Sequence, residues 1–216
     1  MKKLFILLIS AIIISACSEK PVEKVTYNGT QKEAILNNIL TRRSIRKYTD
    51  QQVSKELLDT IMKSAIFAPS ALNKQPWEVR VIQNKEVLTE INNRFLKYAE
   101  GKEFQGSASR WREPSFSIFH NSPTLIVIAR DSSNSYSMLD CGIILQNILL
   151  SAHAMDLGTC PIGSLVPVLT LPENKDILEL LNIPEGYEVA INVALGYPAE
   201  QPTAPKRYAE RVKIIE

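Results

Sequence analysis

The sequence predicts an α+β sandwich in which a mostly antiparallel or mixed sheet is covered by helices. Segments with helical and strand-like spacing interleave without the strict βαβ repeat of a parallel sheet. Residues 124–129 form a continuous apolar run, typical of a strand buried on both faces. Residues 139–155 are apolar nearly all round, which suits a helix at the centre of the fold or at a subunit interface. With 216 residues, 45% of them apolar, the chain can bury the core of one domain.

The elements of the first half follow from hydrophobic spacing and boundary residues. Apolar residues at helical spacing predict a helix over 31–41, and a second helix begins at the cap residue Ser54 and ends before Pro69. Mostly alternating apolar and polar residues from Trp77 to Ile82 predict a half-buried strand. A third helix is predicted over 85–98.

The second half is predicted to contain a loop, the two apolar elements and a further helix and strand. Glycines, serines and charges over 101–114 indicate a loop or mobile excursion. Gly158 is expected to end the apolar helix and to begin a loop that reaches Ser164. A helix is predicted over 173–181, a strand over 188–195, and an extended, proline-containing tail over the last twenty residues.

The first sixteen residues are predicted to be a lipoprotein signal peptide. Lys2 and Lys3 precede twelve mostly apolar residues, too few to span a bilayer comfortably but suited to a signal-peptide core. The run ends in Ile14-Ser15-Ala16-Cys17, which resembles a bacterial lipobox with a lipidated cysteine. An ordinary secretory signal or an anchor helix is the alternative. Cys17 would anchor the protein to a bacterial membrane in the cell envelope, residues 17–30 would be a polar tether, and 31–216 the domain.

Charge and composition exclude several classes of function. Loss of the signal peptide would leave 23 basic and 23 acidic side chains, and no basic stripe with interleaved aromatic residues suggests nucleic acid as a partner. His120 and His153 have no partners at metal-ligand spacing, so no metal site is expected. A disulfide between Cys141 and Cys160 is not indicated by their spacing, and Cys141 lies in an apolar run that favours a buried free thiol.

A dense cationic segment follows the first helix, in Arg42-Arg43-Ser44-Ile45-Arg46. If this segment is extended, Arg42, Ser44 and Arg46 point to one side, and Arg43 and Ile45 to the other. Two guanidinium groups and a hydroxyl on one side suit the oxygens of a phosphate. A solvated basic turn is the alternative interpretation.

A second segment, Ala68 to Trp77, offers amides on a fixed backbone. Pro69 and Pro76 bracket a turn, and Asn73 and Gln75 place carboxamides at its middle. A flavin ring edge presents alternating acceptors and one imide donor, which a carboxamide matches. Together the two segments offer flavin mononucleotide (FMN) cations for its phosphate, and amide groups on a fixed backbone for its ring. A loop in which Asn73 satisfies local backbone groups is the alternative.

Two further segments complete the candidates. The glycines and proline of residues 158–164 allow close backbone approach to a ligand, although the Gly-Lys-Ser/Thr ending of a P-loop is missing. Lys206 and Arg207 add two cations in the tail. The alternative for residues 158–164 is a helix stop with a proline turn, and the alternative for Lys206 and Arg207 is a solvated surface.

Taken in order from about Gln31 to the end, the four segments resemble the nitroreductase family of FMN enzymes. The resemblance implies the nitroreductase-like α/β sandwich and an obligate, domain-swapped homodimer with two flavin sites at its interface. It also implies an FMN-dependent oxidoreductase that passes hydride from NAD(P)H through flavin to a nitroaromatic, quinone or similar conjugated acceptor, with ping-pong kinetics. No catalytic side chain is then expected.

The resemblance also implies roles for single residues. Arg42, Ser44 and Arg46 would hold the phosphate and ribityl chain, with Arg43 beside them. Asn73 would bond the ring edge. Pro161, Ile162 and Gly163 would line the ring, and the Gly163 amide would face the hydride-accepting nitrogen. Lys206 and Arg207 would return to the phosphate from the tail, and which of these two cations touches the phosphate stays open.

Two other functions stay open at this point. The acceptor is not readable because residues 101–119 lie where members of the family differ most, and a specialised reaction such as reductive dehalogenation or enone reduction is one alternative. A flavin- or ligand-binding lipoprotein without turnover is the other. The export signal lacks a twin arginine, so the chain would acquire its flavin outside the cytoplasm, where its electron donor is not identified.

Overall fold

The computed structural model describes residues 29–216, so the predicted signal peptide, Cys17 and most of the tether lie outside the described residues. A Thr30–Glu33 capping box opens the first helix, and the Ser54 and Asn84 side chains cap the second and third. In chain order the elements are α1 (Gln31–Thr41), α2 (Lys55–Ala65), β1 (Trp77–Ile82), α3 (Lys85–Ala99), β2 (Thr124–Asp131), α4 (Ser137–Ala154), β3 (Gly158–Ile162), α5 (Val166–Leu169), α6 (Lys175–Leu180) and β4 (Tyr187–Gly196).

The described residues contain four strands, which form one sheet in the order β1-β2-β4-β3 with every pair antiparallel. Strand β2 lies inside the sheet, and its first six residues are buried, as their apolar run predicts. The α+β sandwich predicted from the sequence is therefore confirmed, with an antiparallel sheet at its centre.

Helices cover both faces of the sheet. Helices α2 and α4 pack on one face, where Ile144 and Ile148 meet Ile126 and Ile128 of β2. Helices α3, α5 and α6 lie over the other face, around the fully buried Phe95. Successive β2 residues thus enter opposite cores, which explains why no polar residue interrupts this strand.

Most predicted elements are confirmed, but residues 158–162 are not the expected loop. They form β3, which pairs with β4 from Gly158–Gly196 to Ile162–Asn192. Pro161 is tolerated because β3 is an edge strand of the sheet, where a missing N–H costs least. The helix predicted over 173–181 begins as an α-helix only at Lys175, after a 3₁₀ turn, and the short helix α5 was not predicted.

The remaining connections are short or irregular. The excursion over 101–114 contains a 3₁₀ turn at Gly106–Arg110. The tail is extended apart from a turn at Ala209–Arg211. No helix within residues 29–216 combines the length and the apolar character needed to cross a bilayer.

Candidate cofactor-binding site

The cationic segment, residues 42–46, lies beside β3. Ser44 forms a parallel bridge with Thr159, and the Ile45 N–H donates to Thr159 O at 2.9 Å. Ile45 is buried, whereas Ser44 is half-buried and Arg46 is exposed. This pairing fixes the backbone of the segment and leaves polar side chains on its outer side.

The Arg42 guanidinium carries a buried donor that no group in the described part of the chain satisfies. Its Nη1 atom is buried and forms no hydrogen bond within residues 29–216. Burial lowers the pKa of Arg42, and the neighbouring charges of Arg43 and Arg207 lower it further. A buried donor without an acceptor is costly, so a bound anion would remove a penalty that the chain alone leaves in place.

Thr159 adds a second unpartnered group next to the cationic segment. Its hydroxyl is buried and has no hydrogen-bond partner in the part of the chain that the structure describes. The sequence did not single out Thr159, because its position beside Ser44 depends on the unpredicted strand β3. A phosphate ester, with several acceptor oxygens, fits the donors collected here.

Arg46 and Glu200 connect the cationic segment to the start of the tail. The backbone N–H of Arg46 donates to the Glu200 carboxylate, and Ala199 N–H donates to Lys47 O at 2.9 Å. Within residues 29–216, the Arg46 guanidinium makes only one long contact, from Nη1 to Ser44 O at 3.4 Å. The backbone of Arg46 is therefore fixed while its charge stays accessible to a ligand.

The two tail cations differ in their surroundings. Arg207 lies near enough to Arg42 to lower the pKa of Arg42, and its Nη1 donates to Pro205 O at 3.3 Å. Lys206 Nζ instead lies 5.1 Å from the centre of the Tyr208 ring. Of the two, Arg207 is the cation whose charge lowers the pKa of Arg42.

The candidates after Cys160 lie at the end of β3, where Pro161 and Ile162 are the last two residues of the strand and Gly163 follows it. Pro161 is half-buried and Gly163 is exposed, with open space where a Cβ would lie. Ile162 is 4% exposed and packs in the core, so only its backbone is available to a ligand. These positions continue the same edge of the sheet, next to the cationic segment.

The loop from Pro69 to Pro76 has a strained backbone. Leu72, Asn73 and Gln75 all have positive φ, at 52°, 53° and 47°. Strain at non-glycine residues persists only where the surroundings hold it and often marks a functional site. Here the Gln75 N–H donates to Ser70 Oγ at 2.9 Å, and Asn73 Oδ1 accepts from Gln75 Nε2 at 3.2 Å.

A buried carboxylate ties this loop to α4. Asp140 is 2% exposed and accepts the Ala71 N–H through Oδ1 at 3.2 Å and Oδ2 at 3.3 Å. Asp140 lies in the first turn of α4, where the helix dipole favours a negative charge. The amide side chain of Asn73 is left exposed beside the N-terminal end of this helix.

Helix α4 separates the two halves of the predicted site. The cationic segment lies at its C-terminal end, where Thr41 Oγ1 is 3.0 Å from His153 Nε2. Asp140, which holds the other loop, precedes His153 by 13 positions, or roughly 20 Å along a helix. One chain therefore brings together Arg42, Ser44, Arg46, Pro161 and Arg207 but not Asn73.

Other reactive groups are held in inert states. Cys141 and Cys160 are both free and buried, and burial raises the pKa of Cys141 to about 12. Burial, with Arg46 and Arg110 nearby, lowers the pKa of His120 to about 4. Within residues 29–216, no group of histidine, cysteine and carboxylate side chains could hold a metal ion.

Comparison with known proteins gives a family match over most of the chain. The model of the "Nitroreductase family" matches residues 39–197. A "Putative NADH dehydrogenase/NAD(P)H nitroreductase" of Methanothermobacter thermautotrophicus is 35% identical over 176 residues, or 79% of this chain and 81% of the relative. An "FMN reductase [NAD(P)H]" of Bacillus subtilis is 27% identical, over 77% of this chain and 67% of the relative.

Solved structures give the same result for the fold. A nitroreductase with bound FMN from Desulfitobacterium hafniense matches with a TM-score of 0.78 and 30% identity, covering 85% of this chain and 98% of the other. A nitroreductase with bound FMN from Bacteroides fragilis matches with a TM-score of 0.76 and 26% identity, covering 84% and 98%. The chain has the fold of these proteins.

Proposed function

Because the chain belongs to the nitroreductase family, we propose that it is an FMN-dependent oxidoreductase that takes electrons from NAD(P)H. The observation that carries the proposal is the buried Arg42 Nη1, which has no acceptor among the described residues. It lies in a segment whose backbone is already fixed against β3. Such a donor fits the phosphate of FMN.

The residues at the cationic segment would hold the phosphate and ribityl chain. Arg42, Ser44 and Arg46 supply charge and a hydroxyl from one chain, and Arg207 adds a cation from the tail. Arg43 contributes mainly structure, because its Nη1 donates to Leu40 O and to Arg42 O, each at 2.8 Å. Thr159 offers one more hydroxyl at the same place.

The ring contacts require a second copy of the chain. Asn73 lies at the opposite end of α4 from Arg42, so a complete site forms only where the Asn73 loop of one chain meets the cationic segment of another. The exposed apolar residues of α1 and of the first turn of α4 offer a surface for such a contact. They are Ile35, Leu36, Ile39, Leu40, Met138 and Leu139. We infer a homodimer with two shared sites.

Bound FMN supplies hydride transfer between a reduced nicotinamide and an acceptor that take turns at one place, which gives ping-pong kinetics. The chain's own residues bind the cofactor and orient its ring. Exposed Gly163 and half-buried Pro161 leave room for planar ligands at the edge of the sheet. No proton-transferring side chain is required, and burial keeps His120 neutral and the Cys141 thiol protonated at neutral pH. Acceptors in this proposal are nitroaromatics, quinones and similar conjugated molecules.

We also propose that the protein is exported and held at a bacterial membrane through lipid on Cys17. The support is the signal-like sequence ending in Ile14-Ser15-Ala16-Cys17, followed by a polar stretch long enough to act as a tether. In that location the donor would have to be present outside the cytoplasm. Mass spectrometry of the mature N-terminus tests this: a diacylated cysteine supports it, and an unprocessed Met1 contradicts it.

Spectroscopy of the full-length protein, purified in detergent, tests the proposed function. We expect a yellow protein with the absorbance of oxidised flavin, which bleaches anaerobically with NADH or NADPH and recovers when a nitroaromatic or quinone is added. Parallel lines in double-reciprocal plots would identify the ping-pong scheme. A colourless protein that fails to bind added FMN would overturn the cofactor. Bound flavin without turnover for any donor or acceptor would instead indicate a binding protein.

A further inference from the structure

His153 lies at the last turn of α4, next to the start of the cationic segment. Its Nε2 atom is 3.0 Å from Thr41 Oγ1, and Thr41 directly precedes Arg42. One turn earlier on α4, Leu150 O accepts from Asn38 Nδ2 at 3.1 Å. The end of α4 thus holds the end of α1, and the residue in contact with Thr41 is a titratable imidazole.

The hydrogen bonds around Thr41 determine which nitrogen of His153 carries a proton. Thr41 Oγ1 donates its only proton to Asn37 O at 2.7 Å. It can therefore only accept from His153, so Nε2 is protonated in the neutral ring as well as in the cation. Nδ1 makes no hydrogen bond within residues 29–216. The proton that His153 gains or loses is the one on Nδ1.

Among the described residues, three charged side chains lie near enough to His153 to shift its pKa. Arg42 and Arg43 come from the cationic segment, and Asp156 follows α4. Burial lowers the pKa of His153, Arg42 and Arg43 lower it further, and Asp156 acts in the opposite direction. Without an anion in the site, the ring is therefore neutral at neutral pH, although it lies at a helix C-terminus, which favours a cation.

We propose that His153 is a further member of the phosphate site, which takes up a proton and becomes a cation beside Arg42 when the phosphate of FMN binds. The inference rests on the proposed function. It follows from the position of the ring, which Thr41 fixes near Arg42, and from two nitrogen atoms without partners among the described residues, Nη1 of Arg42 and Nδ1 of His153. Burial and two arginine charges keep the ring neutral, and a phosphate dianion would offset the arginine charges.

The direction of the pH effect follows from linkage. Binding an anion raises the pKa of His153, so FMN binding gains affinity below the raised pKa and loses that gain as the pH rises through it. A rise of one pKa unit would change the FMN dissociation constant by about tenfold across the titration. FMN itself releases a phosphate proton at about pH 6. This effect is common to all variants and cancels in the ratio of their dissociation constants.

Calorimetric titration of FMN into apoprotein, in buffers of different ionisation enthalpy, measures the proton uptake. The full-length wild type is expected to take up a fraction of a proton per site near about pH 6.5 that H153Q does not. Glutamine keeps an amide donor for Thr41 but cannot gain charge. The ratio of dissociation constants, H153Q over wild type, should be near one at about pH 8 and should grow several-fold by about pH 5.5. Equal uptake and a constant ratio would overturn the proposal.

The second histidine gives a matched control. His120 and His153 are the two histidines of the chain, and the low pKa of His120 keeps it neutral. H120Q should therefore retain the proton uptake of the wild type, and loss of the uptake in H120Q would overturn the proposal even if H153Q failed to fold. Failure of the wild type to bind FMN would refute the proposed function itself. Binding without uptake by a histidine would refute only the role of His153.

Discussion

Arg42 and Arg43 are adjacent in the chain but differ in what their guanidinium groups contact. Arg43 Nη1 donates to two backbone carbonyls at the end of α1, where helix carbonyls lack partners within the helix. Arg42 Nη1 is buried and unpartnered among the described residues. At the scale of the residue, one arginine therefore caps a helix, and its neighbour is available to a ligand.

This difference predicts different effects for the same substitution. R42M should weaken FMN binding by roughly 10- to 150-fold, because a charge-assisted hydrogen bond contributes about 1.5–3 kcal/mol. R43M removes an equal charge one position away and should change the FMN dissociation constant by less than about threefold. Its Tm should fall by about a few degrees. Flavin-fluorescence titrations and thermal melts measure both quantities. Equal losses of affinity in the two variants would contradict the assignment.

The sequence identified the cationic segment and the amide loop as binding segments, but it left several residues unseen. The hydroxyl of Thr159 and the ring of His153 belong to the site only because β3 and α4 bring them beside residues 41–46. The preference for Arg207 over Lys206 likewise depends on the course of the tail. Residue types thus reveal the chemistry of a site, whereas its full membership depends on contacts between distant parts of the chain.

At the scale of elements, segments with a clear apolar pattern were predictable and the shortest ones were not. The helices α1 to α4 and the strands β1, β2 and β4 follow from apolar spacing or from continuous apolar runs in the local sequence. Strand β3 has five residues, including a glycine and a proline, and its pairing with β4 supplies the order that its own propensity lacks. Helix α5 was not predicted because its four residues are too few to show a helical period.

The contact between β3 and the cationic segment depends on Gly158. A Cβ at this position would lie 2.8 Å from Ile45 Cγ1 and 2.9 Å from Ile45 Cβ. G158A should therefore push residues 42–46 away from β3, lower the free energy of unfolding by about 1–3 kcal/mol and weaken FMN binding as well. Denaturant unfolding and flavin titration test these two effects. Unchanged values for both would show that Ile45 moves aside without disturbing the segment.

At the scale of the whole molecule, the described chain leaves an apolar helix face uncovered. Ile35, Leu36, Ile39 and Leu40 of α1 are 46–71% exposed, although their helical spacing is that of a buried stripe. The separation of the two half-sites by α4 gives an independent reason for a second chain. Both features are explained by the homodimer proposed above.

Charge on the α1 face should dissociate this dimer. I39E places a carboxylate on the exposed stripe and is expected to give a monomer that has lost most of its bound FMN. L180E is the matched control, because Leu180 is 57% exposed on α6 and lies outside that stripe. Light scattering after size-exclusion chromatography, with flavin absorbance, measures both results. A dimeric, yellow I39E protein would contradict the proposed interface.

Because α4 separates Arg42 from Asn73, substitutions at these two residues of one chain affect different sites of the proposed dimer. In the proposed dimer, a defect at Arg42 disables the site at that chain's own cationic segment, whereas a defect at Asn73 disables the site built on the other chain. A mixed dimer of one chain with each defect would therefore hold one doubly damaged site and one intact site. Two chains that are each inactive with their own kind would complement one another, and half of the sites in the pair would work.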